Sequence, residues 1–247
     1  KSRVKSALTN AFGGQLRYFI CGGAAMNPVV ENCLMAIHFP LSIGYGMTET
    51  GPLIGGNPPK YFKRRSCGVP VANMEVKIDM TNVDNEEALK NGIGEILVRG
   101  ANVMLGYYKN EEATKAVFTE DGWMRTGDLG YMDKKKNIFI KGRSKTMILG
   151  ASGQNIYPEE IEDKLNNQEA VGESLVIERE GKLIALVFPD ETLTQKMTFE
   201  DIERIMKANL EKLNNLIPSY SKVSNIEVQD KPFEKTPKKS IKRFLYK

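Results

Sequence analysis

The pattern of apolar residues changes twice along this chain of 247 residues, and these changes constrain its fold more than any other feature. Residues 16–43 read as strand, helix and strand, with Asn27 and Pro28 as helix-start residues. From about residue 69 to 140, short alternating runs are separated by Gly, Asn and Asp, as in antiparallel strands. Beyond about residue 142, helices and strands mix again. The sequence therefore predicts α/β and α+β structure with a boundary near residues 142–146.

The segment after this boundary carries its own start and stop signals. Pro158 precedes two glutamates, which is typical of a helix N-terminus. Thr198 and Asp201 form a capping-box pattern ahead of a long amphipathic helix. Apolar runs at 174–177, 183–188 and 223–228 read as strands. These signals predict a small α+β domain.

The cysteine and histidine counts exclude several kinds of site. Three widely spaced cysteines give neither a CxxC metal motif nor a disulfide framework, and they suit a reducing compartment. A single histidine argues against a histidine-rich metal centre. No apolar run approaches the roughly 18 residues of a membrane span, and the opening residues do not read as a signal peptide. We therefore expect a cytoplasmic location, with peripheral contact at the inner membrane face as an open alternative.

The net charge of +4 is unevenly distributed. Residues 231–247 contain seven Lys/Arg and one acid, so this tail carries +6 and the rest of the chain −2. Such a tail could bind a membrane surface or a nucleic acid. It lacks an amphipathic helix and interleaved aromatic residues, so we expect no nucleic-acid partner.

Two glycine-bearing segments directly follow predicted strands. Gly22-Gly23-Ala24 would let a ligand approach the backbone closely, although a tight turn also explains these glycines. Residues 44–51 offer the ring of Tyr45, the hydroxyl of Thr48 and the carboxylate of Glu49. These groups suit a nucleobase, a phosphate oxygen and Mg²⁺. The alternative is a polar loop with a packed tyrosine.

Two later segments carry further candidate ligands. Asp128 lies between glycines and could accept hydrogen bonds from the vicinal diol of a ribose, whereas a lone Gly-Asp pair is usually a turn. Arg143 and Lys145 lie at the predicted boundary, and a glycine-bearing loop follows them.

Together, in this order and spacing, the four segments resemble the adenylate-forming superfamily, which includes acyl-CoA synthetases, luciferases and peptide-synthetase adenylation domains. Residues 45–49 match its YGxTE core, 125–128 its RTGD, 142–145 its GRxK hinge and 155–162 its GENIxPxEIE, and residues 235–237 begin its PKTPTGKIxR ending. The resemblance covers essentially the whole chain and is closest to bacterial long-chain fatty acyl-CoA synthetases.

The resemblance implies a domain organisation. Residues 1–143 would be the C-terminal portion of a large AMP-binding domain, comprising the end of an α/β sheet and a small β-barrel-like unit. Residues 144–247 would be a small mobile C-terminal domain.

The resemblance also implies roles for individual residues. Those that would bind the nucleotide are Gly22, Gly23, Ala24, Tyr45, Gly46, Thr48, Asp128 and Arg143. Within this set, Tyr45 would stack on adenine, Thr48 would contact phosphate and Asp128 would hold the ribose. Glu49 would ligate Mg²⁺, Lys145 would be the hinge, and Ser152 and Gly153 would approach CoA. The catalytic residues would be Lys239, Thr48 and Glu49.

Two departures from the family pattern matter. The Ser/Thr/Gly-rich loop that cradles the ATP phosphates does not occur in these residues, and we expect it upstream of Lys1. The family also places its catalytic lysine directly before Ile241, where this chain has Ser240. Either Lys239 serves from one position earlier, with Lys238 and Lys242 as alternatives, or the site is weakened.

These implications define the expected function. The chain is expected to be the C-terminal part of a long-chain fatty acid–CoA ligase that uses ATP, Mg²⁺ and CoA, and to be inactive by itself. The alternatives are an acyl-acyl-carrier-protein synthetase and a nucleotide-binding module without full chemistry. The partners would be a fatty acid, ATP and CoA, and the sequence leaves the oligomeric state open.

Overall fold

The structure is a computed structural model that describes residues 2–81, 83, 86–150, 153–237 and 239–246. It divides into two compact units, Lys1–Ser144 and Lys145–Lys247. Both combine helices with sheets, which confirms the expected mixed α/β architecture.

The first unit contains short helices and predominantly short strands. Its helices are α1 (Ser2–Ala11), α2 (Pro28–Ala36), α3 (Glu86–Lys90) and α4 (Glu111–Val117). Its strands are β1 (Phe19–Cys21), β2 (Leu41–Ile43), β3 (Tyr45–Gly46), β4 (Leu53–Gly56), β5 (Val69–Pro70), β6 (Met74–Asp79), β7 (Gly94–Gly100), β8 (Met124–Met132) and β9 (Ile138–Arg143).

Strands β1 and β2 and helix α2 follow the sequence signals. β1 and β2 pair in parallel, and α2 connects them. Asn27 caps α2, because its side chain accepts hydrogen bonds from the backbone N–H groups of Val29 and Val30. Parallel pairing requires such a crossover, which turns the chain back so that both strands run in the same direction.

Open sheets form the β-rich part of the first unit, where a barrel-like unit was expected. Strands β3, β4 and β5 form one antiparallel sheet, and β6 to β9 form a four-stranded antiparallel meander. A shared core joins apolar residues of both sheets, among them Ile54, Ile96 and Ile138, each 0% exposed. The alternating pattern of the sequence produces this core because successive side chains of a strand point to opposite faces.

The second unit is built around one mixed sheet. Its helices are α5 (Pro158–Leu165), α6 (Glu191–Thr194) and α7 (Phe199–Leu216). Its strands are β10 (Ile148–Leu149), β11 (Asn155–Ile156), β12 (Val171–Arg179), β13 (Lys182–Pro189) and β14 (Val223–Val228). The sheet order is β12-β13-β14, and β10 pairs with β11 separately.

Alternate residues of this sheet serve two cores. Val176, Ala185 and Val187 pack with apolar residues of α5 and α7. Leu175, Ile177 and Leu186 pack with Phe233 of the tail. The cationic tail is therefore anchored on the sheet by its few apolar residues. No helix in the described part of the chain combines the length and apolarity that a membrane span requires.

Candidate functional site

The candidate site begins where β1 and β2 end. Because these strands are parallel, the loops that follow them leave the same edge of the sheet. The N–H of Gly44 donates to the carbonyl oxygen of Cys21 at 2.8 Å. A Cβ atom at Gly22 would lie 3.3 Å from the carbonyl oxygen of Gly44. The structure therefore places Gly22-Gly23-Ala24 beside residues 44–49.

A buried carboxylate joins this edge to the four-stranded sheet. Asp128 is 6% exposed, and its Oδ2 accepts a hydrogen bond of 2.7 Å from the hydroxyl of Tyr45. Its Oδ1 lies 3.1 Å from Nε of Arg143. The register of β8 and β9 places Asp128 directly opposite Arg143. Pairing of the strands therefore positions both charges, and the mostly exposed guanidinium borders solvent.

Tyr45 supports Asp128 from within the core. Its ring is 6% exposed and packs with Ile54 and Met124. Burial raises the pKa of its phenol, and the nearby Asp128 charge raises it further, so the hydroxyl remains a hydrogen-bond donor. The packed ring agrees with the alternative interpretation of this loop. Adenine stacking on Tyr45 stays a prediction.

The backbone beside Tyr45 requires glycine. A Cβ atom at Gly46 would lie 2.0 Å from the carbonyl oxygen of Pro52, a distance that no side chain tolerates. The hydroxyl of Thr50 closes the same turn, because it donates to the carbonyl oxygen of Pro52 at 2.6 Å and accepts from the N–H of Met47 at 3.3 Å. This turn presents Thr48 at the surface and Glu49 half-buried.

A second loop holds the Glu49 segment. The hydroxyl of Tyr107 donates to Oε1 of Glu49 at 3.0 Å. The N–H of Met104 donates to the Glu49 carbonyl at 2.8 Å, and Nδ2 of Asn102 donates to the Thr50 carbonyl at 2.5 Å. Residues 102–107 therefore fix both the backbone and the carboxylate of Glu49.

Sequence reasoning missed Tyr107 and Asn102. Tyr107 was not among the predicted site residues, yet its hydroxyl donates to a carboxylate 58 positions away. No local signal in the sequence indicates such a contact, because the two residues lie far apart in the chain. The hydrogen bond between Tyr45 and Asp128 spans 83 positions. The sequence predicted both as site residues but did not predict that they contact each other.

The residues around Glu49 fit a Mg²⁺ site in which the substrate supplies most of the ligands. Mg²⁺ in nucleotide sites is bound by one or two carboxylates together with phosphate oxygens and water. Glu49 supplies one half-buried carboxylate at the candidate site. The described residues contain no group of three or more His, Cys, Asp or Glu that would form an all-protein metal cage.

The remaining candidate residues belong to the second unit. Lys145 is exposed and is the first residue of that unit. Gly153 has φ +79° in the turn between β10 and β11, and its N–H donates to the Gly150 carbonyl at 2.8 Å. Ser152 and Lys238 lie outside the described residues.

Lys239 lies in a tight turn of the tail. Its φ is +61°, and its N–H donates to the Thr236 carbonyl at 2.8 Å. The flanking residues Lys235 and Ile241 form an isolated antiparallel β-bridge. Glycine adopts such a φ most easily, and the family ending TPTGKI has glycine at this position. Ser240 follows, exposed, at the position of the family lysine.

Comparison with known families matches most of the first unit and nearly all of the second. Residues 2–108 match the family model described as AMP-binding enzyme, and residues 145–246 match the AMP-binding enzyme C-terminal domain. The chain belongs to the AMP-binding enzyme family. The expected resemblance to adenylate-forming enzymes is thereby confirmed.

Curated relatives within this family carry different substrate names. The chain is 37% identical over 163 residues to the 2-succinylbenzoate–CoA ligase of Bacillus subtilis, a match to 65% of this chain and 32% of the relative. It is 32% identical over 200 residues to 4-coumarate–CoA ligase CCL1 of Humulus lupulus, covering 76% and 36%. It is 40% identical over 159 residues to the long-chain-fatty-acid–CoA ligase of Haemophilus influenzae, covering 62% and 28%. The chain matches only about a third of the length of these relatives.

Solved structures in the family share the fold. ATP-bound MatB from Rhodopseudomonas palustris superposes with a TM-score of 0.76 at 26% identity, covering 96% of this chain and 46% of that one. The O-succinylbenzoate coenzyme A synthetase MenE from Bacillus subtilis, in complex with ATP and magnesium ion, gives 0.71 at 26% identity, covering 96% and 49%. The family fold is thus present across nearly the whole chain.

Proposed function

We propose that this chain forms part of an acyl-CoA ligase that activates a carboxylic acid with ATP and transfers the acyl group to CoA. The observation that carries the proposal is the buried Asp128 carboxylate, held by Tyr45 and Arg143 where two glycine-bearing loops meet. A carboxylate fixed in this way can accept hydrogen bonds from both hydroxyls of a ribose. Membership of the AMP-binding family supports this assignment.

In the first step the substrate forms an acyl-adenylate. A carboxylate oxygen attacks the α-phosphorus of ATP, and the bond from that phosphorus to pyrophosphate breaks. Thr48 would donate to a phosphate oxygen, and Glu49 would hold Mg²⁺, which would supply positive charge to neutralise the phosphates. Lys239 supplies a cation from the tail. Asp128 and Arg143 keep the ribose in place, which is positioning rather than acid–base work.

In the second step CoA replaces AMP. The CoA thiol loses its proton to solvent and its sulfur attacks the acyl carbon. The bond from that carbon to the AMP oxygen breaks, and AMP leaves with the electron pair. We assign the loop of Ser152 and Gly153 to the approach of CoA. Lys145 would be the hinge about which residues 144–247 rotate between the steps. Asp128 is needed in both steps because AMP stays bound until the second is complete.

We propose a long-chain fatty acid as the acyl substrate and the cytoplasm as the location. Support for the substrate comes from the long-chain-fatty-acid–CoA ligase of Haemophilus influenzae, which is 40% identical over the matched residues. Relatives named for 2-succinylbenzoate and 4-coumarate are the competing substrate classes.

A second candidate is a nucleotide-binding module without full chemistry. Ser240 favours it, because a serine stands where the family has its catalytic lysine. Such a module would bind AMP through Asp128 and form no acyl-adenylate. Transfer of the acyl group to a carrier protein in place of CoA is the remaining enzymatic alternative.

The test uses the complete ligase, meaning the polypeptide that contains this chain together with a phosphate-binding loop. Exchange of labelled pyrophosphate into ATP is measured with palmitate, 4-coumarate or 2-succinylbenzoate, and thioester formation is measured with CoA or an acyl carrier protein. We expect palmitate to give the fastest exchange and CoA to be the acceptor. The 247-residue chain without that loop should give no exchange.

Asp128→Ala tests the site itself. It should slow both half-reactions, each by about 100-fold or more. Asp121→Ala is the matched control, because Asp121 is an exposed carboxylate of the same unit. If Asp128→Ala exchanges pyrophosphate at the parent rate, the assignment of Asp128 is contradicted. If the complete ligase binds AMP without a carboxylic acid but shows no pyrophosphate exchange, the nucleotide-binding module is favoured.

A further inference from the structure

Two adjacent turns of the first unit gather seven cationic side chains. Lys60, Lys63, Arg64 and Arg65 belong to the turn between β4 and β5, and Lys134, Lys135 and Lys136 form the turn between β8 and β9. We call these residues, together with Tyr61, the basic patch. None of them belongs to the candidate site.

Several direct contacts hold the two turns together. Nζ of Lys63 lies 2.6 Å from Oδ2 of Asp133 and above the ring of Phe139. Nδ2 of Asn57 donates to Oδ1 of Asn137 at 3.3 Å. The N–H of Cys67 donates to the Ile138 carbonyl at 2.8 Å. The cations of both turns are therefore part of one surface.

Asp133 shapes the second turn so that its lysines face solvent. Its Oδ1 accepts hydrogen bonds from the N–H groups of Lys135 at 2.8 Å and Asn137 at 2.9 Å. Lys136 adopts φ +62° at the end of the turn. All three lysines of this turn are exposed. A turn braced by its own carboxylate thus displays three consecutive ammonium groups.

The basic patch carries a large excess of positive charge. Two carboxylates compensate it, since Asp133 pairs with Lys63 and the buried Glu31 pairs with Arg65 at 3.4 Å. Seven cations against two carboxylates leave +5 here, so the rest of a chain of net charge +4 carries −1. Among the described residues, no ion pair neutralises Lys60, Arg64 or the three lysines of the second turn.

Tyr61 adds an amphipathic group to these charges. Its side chain is 64% exposed, and Nζ of Lys60 lies 5.5 Å from its ring centroid. Exposed tyrosines and lysines with long apolar stems both suit the boundary between water and lipid headgroups. A polybasic cluster of this size is typical of surfaces that bind anionic lipids.

A lipid surface explains the composition of the basic patch better than a nucleic acid does. Five of the seven cations are lysines, which act as point charges, whereas nucleic-acid recognition favours the planar fork of arginine. One of the two arginines, Arg65, is already paired with Glu31. Single-stranded nucleic acids also require several stacking aromatics, and Tyr61 is the one exposed aromatic residue within these turns.

We infer that the basic patch docks the first unit on an anionic membrane surface. The inference does not depend on the proposed ligase activity, since it uses only the charge and exposure of these turns. It assigns the peripheral membrane contact to the first unit rather than to the cationic tail.

The experiment measures binding of the 247-residue chain to vesicles by co-sedimentation. Vesicles of phosphatidylcholine alone are compared with vesicles containing about 30% phosphatidylglycerol, at about 0.05 M and 0.5 M salt. We expect binding only to the anionic vesicles and loss of binding at the higher salt. K134Q/K135Q/K136Q should weaken binding about 100-fold, since three charges near the surface are removed.

The matched control is K196Q/K207Q/K212Q, which removes three exposed lysines of the second unit. It should change binding less than about threefold. Circular dichroism and thermal unfolding confirm that each variant is folded. The inference is overturned by equal binding to both vesicle types, or by undiminished binding of the folded K134Q/K135Q/K136Q variant. It is also overturned if K235Q/K239Q/K242Q in the tail abolishes binding, or if single-stranded RNA binds more tightly than the vesicles at the same salt.

Discussion

At the scale of single residues, the candidate site depends on hydrogen bonds that orient its carboxylates. Asp128 is held between Tyr45 and Arg143, and Glu49 is held by Tyr107. Each carboxylate thus has a donor that comes from a distant part of the chain. Orientation by such partners often determines how well a carboxylate binds its ligand.

Tyr107→Phe tests the role of the Glu49 contact. Burial raises the pKa of Tyr107, and its hydrogen bond to Glu49 raises it further, so the phenol donates over the whole neutral range. A double-mutant cycle with Glu49→Gln in the 247-residue chain should give a coupling of about 1 kcal/mol in the free energy of unfolding. In the complete ligase, Tyr107→Phe should raise the Mg²⁺ concentration for half-maximal exchange about 10-fold.

Tyr108→Phe is the control for this prediction, because Tyr108 is 89% exposed. It should leave both measurements unchanged. A zero coupling energy would show that the Tyr107 contact is not maintained in solution. A normal coupling with an unchanged Mg²⁺ requirement would instead remove Glu49 from the proposed metal site.

Lys239→Gly tests which lysine of the tail acts in adenylation. Glycine accepts the φ of +61° without strain, so the free energy of unfolding should stay within about 1 kcal/mol of the parent. Exchange of pyrophosphate by the complete ligase should fall about 100-fold or more, while a supplied acyl-adenylate should still react with CoA. If pyrophosphate exchange is unchanged in Lys239→Gly but lost in Lys242→Ala, Lys242 and not Lys239 is the lysine that acts in adenylation.

At the scale of elements, α5 connects the sheet of the second unit to the tail. Glu162 of α5 is 8% exposed, and its Oε1 accepts a hydrogen bond of 2.7 Å from the N–H of Val176. Its Oε2 pairs with Arg243, which also lies 3.6 Å from Glu159. A buried carboxylate therefore links a helix, a strand and the end of the chain.

This linkage predicts a pH dependence of stability. Burial raises the pKa of Glu162 to about 7 despite the lowering effect of Arg243. Because the folded state then binds the proton more tightly than the unfolded state, Glu162 favours folding fully below its ordinary pKa near 4.5. This contribution is lost as pH rises toward 7, on the order of 2–3 kcal/mol.

Urea unfolding of the 247-residue chain between pH 4.5 and 8 measures this effect. Glu162→Gln should flatten the decrease, because glutamine does not titrate. Glu160→Gln, a change at a neighbouring carboxylate of α5, should preserve it. An identical slope in the parent and in Glu162→Gln would show that another group causes the pH dependence.

At the scale of the whole molecule, the chain divides into two compact units. The units meet in sequence at Ser144 and Lys145, directly after β9 has placed Arg143 beside Asp128. The N–H of Ser144 donates to the Gly127 carbonyl at 2.9 Å, so the chain is held up to this point. A change of backbone torsion at Lys145 would therefore leave the Asp128 site intact.

Lys145→Pro tests this arrangement in the complete ligase. Proline restricts φ to about −65°, so the substitution should slow one half-reaction far more than the other. We expect thioester formation to be the half-reaction that is slowed more. Lys145→Ala should have a small effect on both. Equal losses in both half-reactions, together with a lower Tm, would identify Lys145 as a structural residue and place the hinge elsewhere.

Local signals in the sequence were sufficient for the motifs and for several of the elements, but helices α1, α3, α4 and α6 were not predicted. Asn27 and Pro28 predicted the start of α2, and Thr198 with Asp201 predicted the start of α7, because capping uses neighbours in the chain. Alternating apolar residues predicted the strands of the β-rich part, although they could not distinguish a barrel from open sheets. Strand closure depends on which edges pair, and that is a long-range choice.

The sequence by itself determined the family, several of the elements and the residue types available at the site. Only the tertiary structure decided which of these residues meet. The bond of Tyr45 to Asp128, the support of Glu49 by Tyr107 and the union of two lysine-bearing turns into one basic patch all cross more than fifty positions of chain. Strand register and sheet packing set such contacts, because a shift of one residue would turn each side chain to the opposite face.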